Sequence, residues 1–173
     1  MGNPLWAPWR MEYILGPKDR GDCIFCGIPD AEEEEQRSRL VVAKTPRAFV
    51  MMNRYPFAAG HLLVVPHTHT SALHELSLAE HDALFRLVRE AATRLQRAVK
   101  AEGLNVGLNL GAVAGAGVAA HLHVHIVPRW AGDTNFMPVL ADTRVIPQAL
   151  EATRDHLAGF FQDLPSDDGS LGS

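Results

Sequence analysis

Three histidines alternate with apolar residues at His121, His123 and His125. In a β-strand every second side chain points to the same face, so the apolar residues should enter the core while the imidazoles line the other side. Neighbouring imidazoles would lie about 6.5–7 Å apart, because a strand rises about 3.3 Å per residue. One small anionic group could then contact two rings at once. Histidine can serve as a nucleophile, a general acid or base, or a metal ligand at neutral pH.

Two other interpretations of this row stay open. A surface strand could carry histidines without a role, although three of the nine in the chain stand in strict alternation here. A three-histidine metal site is the stronger alternative, because imidazole is a common zinc ligand. Phosphate chemistry is favoured by the preceding residues 111–117, which are only Gly, Ala and Val. The N–H groups of such a loop could surround a phosphate as an anion nest.

A second candidate site is the pair Cys23 and Cys26, separated by two residues. This is the spacing of half a zinc site. A redox pair and two inert core thiols are the alternatives, but the βαβ pattern that accompanies a thioredoxin-like motif is missing. The missing zinc ligands would be histidines, and His67, His69 and His121 are the candidates.

The elements that must position these residues follow from the periodicity of the chain. Ser77 and Glu80 form a capping box before a long apolar stripe, and Gly103 is placed to end that helix. A second helix is expected over 146–162. Short apolar runs between turn residues predict five strands, and close succession of the first three favours an antiparallel meander. These strands span residues 40–43, 48–52, 61–65, 105–110 and 121–127, the last ended by Pro128. The chain is therefore predicted to be an α+β domain with a five-stranded antiparallel sheet and two main helices.

Composition limits the partners of this domain. The length of 173 residues fits one domain, and a net charge of -4 argues against a general nucleic-acid binder. No apolar run reaches the roughly 18 residues of a membrane span, and no secretory signal is recognisable. The two cysteines are not spread along the chain as in a disulfide-stapled secreted protein. We therefore expect a cytoplasmic protein without nucleic-acid or membrane partners.

The stretch from His121 to Val127 resembles the pattern of the histidine-triad (HIT) superfamily, and the likeness extends over roughly residues 20–140. It includes Asn53, Gly60-His61 and the segment after Pro128. Within the superfamily, segments 5–11, 109–111 and 135–136 are similar to bacterial diadenosine tetraphosphate (Ap4A) phosphorylases. The resemblance implies a HIT-like fold, a homodimer and an enzyme that cleaves dinucleoside polyphosphates.

The same resemblance implies a role for each matching residue. His123 would attack the α-phosphorus to give a nucleotidyl-histidine intermediate, with His125 on the phosphate oxygens and His121 completing the catalytic row. Structural zinc would be held by Cys23, Cys26, His69 and His121, with His67 as the alternative to His69. The nucleotide would also contact Asn53 at the ribose, a phosphate-binding set and a base pocket. The phosphate set is Asn109, Gly115, Ala116, Gly117 and His125, and the base pocket is Ile24, Phe25, Ile28 and Met51.

One departure bears on the reaction. Many relatives carry Gln where this chain has Gly117, four residues before the first histidine. Loss of a side chain that could position water favours phosphate as the acceptor of the second step. Two other functions stay open: hydrolysis of nucleoside phosphoramidates or acyl-adenylates through His123, and a nucleotide-binding zinc protein without catalysis.

Composition and pattern also divide the chain. Residues 1–22 are expected to form an N-terminal arm, 23–140 the catalytic domain, 141–164 a C-terminal helix packed on that domain, and 165–173 a flexible tail. The acidic stretch 32–35 is expected to be a solvated loop, because like charges in a row repel.

Overall fold

The structure is a computed structural model that describes residues 23–133 and 149–165. Its five strands form one antiparallel sheet in the order β1-β2-β3-β5-β4, which confirms the predicted sheet. The strands are β1 (Val41–Lys44), β2 (Ala48–Met52), β3 (Leu62–Pro66), β4 (Gly103–Leu108) and β5 (Val124–Arg129). The helices are α1 (Glu33–Ser38), α2 (Leu78–Val99) and α3 (Leu150–Ala158). β5, which follows the first two histidines, thus lies between β3 and β4.

The sheet has one apolar layer on each face. Val124 and Ile126 of β5 point into the larger layer, where they pack with α2 and α3. The alternate residues face a smaller apolar cluster built from Phe25, Ile28, Val41, Phe49, Leu63 and Val65. The strict alternation of side chains therefore directs even-numbered residues of β5 to the helices and odd-numbered residues to the smaller cluster.

Helix α2 begins as the sequence predicts and ends earlier. The Ser77 side chain accepts from the Glu80 N–H while the Glu80 carboxylate accepts from the Ser77 N–H, which completes the capping box. The helix ends at Val99 because Lys100 adopts the left-handed conformation, with φ 52° and ψ 43°. Gly103 is not its terminator: it opens β4, opposite Arg129.

Four strands also differ from the prediction, β1 and β3 by one residue at each end and β4 and β5 by more. β4 spans 103–108 rather than 105–110, and β5 spans 124–129 rather than 121–127. Pro128 lies inside β5, opposite Leu104. The pairing of β5 with β3 ends at Ile126, so Pro128 stands where β5 has β4 on one side only. Proline lacks the N–H that a second ladder would need. It is tolerated at this position because β3 no longer pairs with β5 here.

The acidic stretch is helical rather than a loop. Three glutamates occupy the first turn of α1, where the positive end of the helix dipole stabilises negative charge. Arg39 pairs with Glu35 one turn on at 2.7 Å. The second predicted helix is shorter than expected, at 150–158. The N-terminal arm, residues 134–148 and the tail from 166 lie outside the described residues. Among the described helices, none is both long and apolar enough to cross a membrane.

Removal of the capping hydroxyl tests this view of α2. Bonds from Ser77 and then Thr68 lower the pKa of Glu80 from 4.5 to about 2. We expect Ser77→Ala to lower the free energy of unfolding by about 1 kcal/mol at neutral pH. Because the folded-state pKa is depressed, the Glu80 contribution is complete above about pH 4.5 and is lost as pH falls toward 2. Urea unfolding across this range should show the difference from wild type shrinking, whereas exposed Ser71→Ala should match wild type throughout.

Candidate active site and metal centre

The three imidazoles share one side of the chain, as the alternation predicts. The ring of Phe25 lies 5.4 Å from that of His121 and 5.3 Å from that of His123, both on the side of the smaller cluster. The His123 and His125 rings are 5.0 Å apart, closer than the spacing along an ideal strand, and are inclined at 66°. Only His125 lies within β5, because ladder pairing starts at Val124 on both sides. His121 and His123 therefore precede the strand.

Hydrogen bonds outside the sheet hold this preceding stretch. The Leu122 N–H donates to the carbonyl of Thr70 at 2.7 Å. The His121 Nε2–H donates to the carbonyl of Pro66 at 2.9 Å. Both acceptors belong to the end of β3 and the loop after it. Their carbonyls therefore hold residues 121 and 122, which precede the ladder.

His123 has the geometry of a nucleophile. Its Nδ1 lies 2.9 Å from the carbonyl oxygen of His121, which can only accept, so Nδ1 carries the proton. In the neutral ring Nε2 is then an unprotonated nitrogen with an available lone pair. The residue is 5% exposed, and burial lowers the pKa of His123 against the opposing effect of that hydrogen bond. The ring is therefore neutral at neutral pH, the form that can attack an electrophile.

His125 is oriented by a residue that the sequence analysis placed only in a strand. The Phe57 N–H donates to Nδ1 of His61 at 3.2 Å, so Nε2 of His61 carries the proton. That Nε2 lies 2.9 Å from Nδ1 of His125, which must accept. Neutral His125 is consequently protonated at Nε2 and is a hydrogen-bond donor there. His61 is fully buried, and Gly60-His61 within the resemblance was the sequence signal for it.

A four-residue cluster lies beside the histidine row. The candidate ligand atoms of Cys23, Cys26, His69 and His121 all lie within 4.8 Å of one another. Sγ of Cys23 is 3.3 Å from Nδ1 of His121, and Sγ of Cys26 is 3.2 Å from Nδ1 of His69. Tetrahedral zinc with Zn–S of about 2.3 Å and Zn–N of about 2.0–2.1 Å would separate such atoms by about 3.5 Å. The donor set and its spacing therefore fit zinc.

His121 has the second hydrogen bond that metal-bound histidines commonly make. Its Nε2–H is held by the Pro66 carbonyl, which leaves the Nδ1 lone pair for a metal. The pKa of His121 is lowered, chiefly by burial. This favours the neutral ring that a metal requires. The ring of His121 therefore faces the Pro66 carbonyl with one nitrogen and Cys23 with the other. His67 instead packs its ring 5.9 Å from Phe49.

The predicted base-pocket residues separate into two groups. Phe25 is 1% exposed and Ile28 is fully buried, and both belong to the smaller apolar cluster. Met51 is half-buried at the edge of this cluster, while Ile24 is 47% exposed. Phe25 therefore packs against the rings of His121 and His123 from the side of the smaller apolar cluster. Contact of the four predicted residues with a base stays a prediction.

The predicted phosphate loop is folded on itself. The N–H groups of Gly115 and Ala116 donate to the carbonyls of Ala112 and Gly111. The Asn109 side chain donates to the Gly115 carbonyl at 3.5 Å. Within the described residues the N–H of Gly117 makes no such bond. A phosphate would thus find the donor of Gly117 available and would compete for the other two, and the nest stays a prediction.

The ribose contact of Asn53 also stays a prediction. Its side-chain oxygen accepts from the Tyr55 N–H at 2.9 Å, and its Nδ2 lies 3.4 Å from Nδ1 of His61. The structure therefore places Asn53 against the His61–His125 pair, at the edge of the histidine row.

The class of protein follows from a five-stranded α+β domain in which a buried, neutral His123 lies beside a cluster of two cysteines and two histidines. The model of the HIT domain matches residues 34–132, and the chain belongs to the HIT family. It is 40% identical over 162 residues to the AP-4-A phosphorylase of Mycobacterium tuberculosis, covering 89% of this chain and 82% of that protein. It is 29% identical over 121 residues to the asymmetrical bis(5'-nucleosyl)-tetraphosphatase of Schizosaccharomyces pombe, covering 70% and 63%.

A solved structure with the same fold carries a metal. The Zn-bound histidine triad family protein of Mycobacterium smegmatis superposes with a TM-score of 0.63 at 25% sequence identity. The match covers 80% of this chain and 92% of that one. The HIT-like fold expected from the sequence is confirmed.

Proposed function

We propose that this chain is a HIT-type enzyme that cleaves dinucleoside polyphosphates, with diadenosine tetraphosphate as the leading substrate, through a covalent nucleotidyl-histidine intermediate. The observation that carries the proposal is the bond from Nδ1 of His123 to the His121 carbonyl, which leaves Nε2 as the attacking atom. The names of the Mycobacterium tuberculosis and Schizosaccharomyces pombe relatives support this substrate class.

The reaction has two displacements at one phosphorus. In the first, Nε2 of His123 forms a P–N bond to the α-phosphorus while the P–O bond to the departing polyphosphate breaks. In the second, an acceptor oxygen forms a new P–O bond, the P–N bond breaks and neutral His123 returns. The Nε2–H of His125 donates to the phosphoryl oxygens, where negative charge develops. Asn53, Asn109 and Gly117 would hold the ribose and phosphates, and exposed Ile24 and half-buried Met51 would contact the base.

Inorganic phosphate is the acceptor that we propose for the second step. Gly117 offers no side chain to position a water molecule, and the 40%-identical relative is a phosphorylase by name. The alternative activity is hydrolysis of nucleoside phosphoramidates or acyl-adenylates, which would use the same nucleophile. Product analysis on both substrate classes, with and without phosphate, separates them: equal turnover without phosphate excludes the phosphorylase.

The function is tested by replacing the nucleophile. We expect His123→Asn to lower kcat at least about 10³-fold, because no other group can form the P–N bond. Nucleotide binding, measured by calorimetry, should stay within about threefold, since the ring contributes to the transition state more than to the ground state. The control is His81→Asn, a change at a partly exposed residue near the start of α2, which should retain full activity. A His123→Asn enzyme that turns over normally would contradict the nucleotidyl-histidine intermediate, whereas a wild-type chain that binds nucleotide without turnover would leave only a nucleotide-binding zinc protein.

We propose that the four-residue cluster binds one structural zinc ion per chain. The spacing of its donor atoms supports this, as does the zinc in the Mycobacterium smegmatis relative. With four protein ligands the ion would leave no position for water, so its chemistry would be structural. It would join the loop of Cys23 and Cys26 to His121 and so to the catalytic stretch.

The two neighbouring histidines 67 and 69 provide a matched test of this zinc site. His69→Asn should lose zinc and lower the unfolding temperature, because it removes the ligand that faces Cys26. His67→Asn should retain zinc, since its ring packs on Phe49 instead. Elemental analysis of freshly purified protein measures both. Wild-type protein with well under one zinc per chain would contradict the proposal.

We also propose a homodimer and a cytoplasmic location. β4 is an edge strand with open backbone groups, and its Val106 is 50% exposed. An open, partly apolar edge invites pairing with a second chain. Free cysteines poised for zinc suit a reducing compartment. Sedimentation equilibrium of the full chain tests the homodimer, and cell fractionation tests the cytoplasmic location.

A further inference from the structure

The backbone around His123 lies just outside the hydrogen-bonded part of the sheet. The pairing of β5 with β3 and with β4 begins at Val124, so residues 121–123 belong to neither ladder. His123 must nevertheless hold its ring to within a fraction of an ångström, because a misplacement of about 1 Å can lower a rate about 10²-fold. Something other than the sheet has to fix the peptide group between His121 and Leu122, whose carbonyl accepts from Nδ1 of His123.

Thr70 is the residue placed to do so. Its carbonyl accepts from the N–H of Leu122, which lies between the two histidines, at 2.7 Å. Leu122 donates this bond from the residue directly before His123. The side chain of Leu122 is anchored in the large apolar layer, so the Thr70 bond fixes the backbone of a residue whose side chain is already fixed.

The Thr70 side chain sets the direction of that carbonyl. Thr70 is 5% exposed, and its hydroxyl accepts from the Ala72 N–H at 3.1 Å, which closes a turn around the peptide that carries the carbonyl. The hydroxyl proton is donated to the carboxylate of Glu75. Glu75 itself is exposed, and its bond to the Thr70 hydroxyl links it to the catalytic stretch.

We propose that Thr70, braced by Glu75, is a positioning residue for His123. Its hydroxyl holds the 70–72 turn, the turn aims the Thr70 carbonyl, and the carbonyl holds the Leu122 N–H. The His121 carbonyl, which accepts from Nδ1 of His123, lies on that same peptide group between His121 and Leu122. Release of the Leu122 N–H therefore frees the carbonyl that selects the reactive tautomer. The kinetic consequence rests on the proposed function, whereas the effect on the tautomer does not.

Imidazole ¹⁵N spectra and steady-state kinetics test this on the full, zinc-loaded chain. Spectra at about pH 8, above the ordinary histidine pKa of about 6.5, report the tautomer of His123, assigned by its loss in His123→Asn. We expect Thr70→Val to convert a single Nδ1–H tautomer into a mixture and to lower kcat about tenfold, with KM within about twofold. Thr70→Ser retains the hydroxyl and should restore both values. Glu75→Ala removes an exposed side chain and should leave the fold intact. It should shift the tautomer of His123 and kcat in the same direction as Thr70→Val, by a smaller factor.

The control is Thr153→Val, the same chemical change at a buried threonine of α3, which should alter thermal stability without moving the His123 signal. An unchanged tautomer in both Thr70→Val and Glu75→Ala overturns the proposal, as does a shifted tautomer with unchanged kcat. A further outcome is that wild-type protein fails to cleave dinucleoside polyphosphates while Thr70→Val still shifts the tautomer of His123. That result supports the positioning role and contradicts the proposed function instead.

Discussion

The active site depends on one hydrogen bond, from Nδ1 of His123 to the main-chain carbonyl of His121. A carbonyl oxygen has no proton to give, so the bond admits only one tautomer of the ring. Burial acts in the same sense, because it lowers the pKa of His123 and disfavours the charged form. The protein thus makes a neutral imidazole reactive without a general base, provided that the peptide group of residue 121 stays where it is.

Several independent contacts converge on that peptide group. The ring of His121 is held by the Pro66 carbonyl and faces the thiols, and the next N–H is held by Thr70. Phe25 contacts the rings of His121 and His123 from the smaller apolar cluster. The cysteine loop and the β3–α2 loop therefore meet at one residue. The first histidine of the row is therefore anchored at both ring nitrogens, whereas the proposed function assigns the chemistry to the second and third.

The sequence predicts what local periodicity controls. Alternation around His123 placed the imidazoles opposite the core, and the capping box at Ser77 located the start of α2, both as the structure has them. The Cys-x-x-Cys spacing, with His69 named through the family resemblance, identified the four residues that the structure brings together. Each of these features depends on residues a few positions apart, or on a motif whose spacing has a direct physical meaning.

What the sequence could not predict depends on contacts between distant segments. The start of β5 at Val124 is decided by where β3 and β4 stop pairing, and Pro128 is accepted inside the strand for the same reason. The relay from Phe57 through His61 to His125 joins residues 64 positions apart in its last step. Phe25 packs in the smaller apolar cluster against the rings of His121 and His123, a placement decided by contacts between segments about a hundred residues apart.

The anchoring contacts of His121 follow from its place outside the ladder. Within a ladder, His121 would be fixed by regular pairing and its ring would be free to meet substrate, as His125 is fixed within β5. Outside the ladder, the backbone needs other partners, and the ring itself becomes one of them through Pro66 and the thiol cluster. His123 also lies outside the ladder, but its ring bonds to the His121 carbonyl through Nδ1 alone, which keeps Nε2 for another partner.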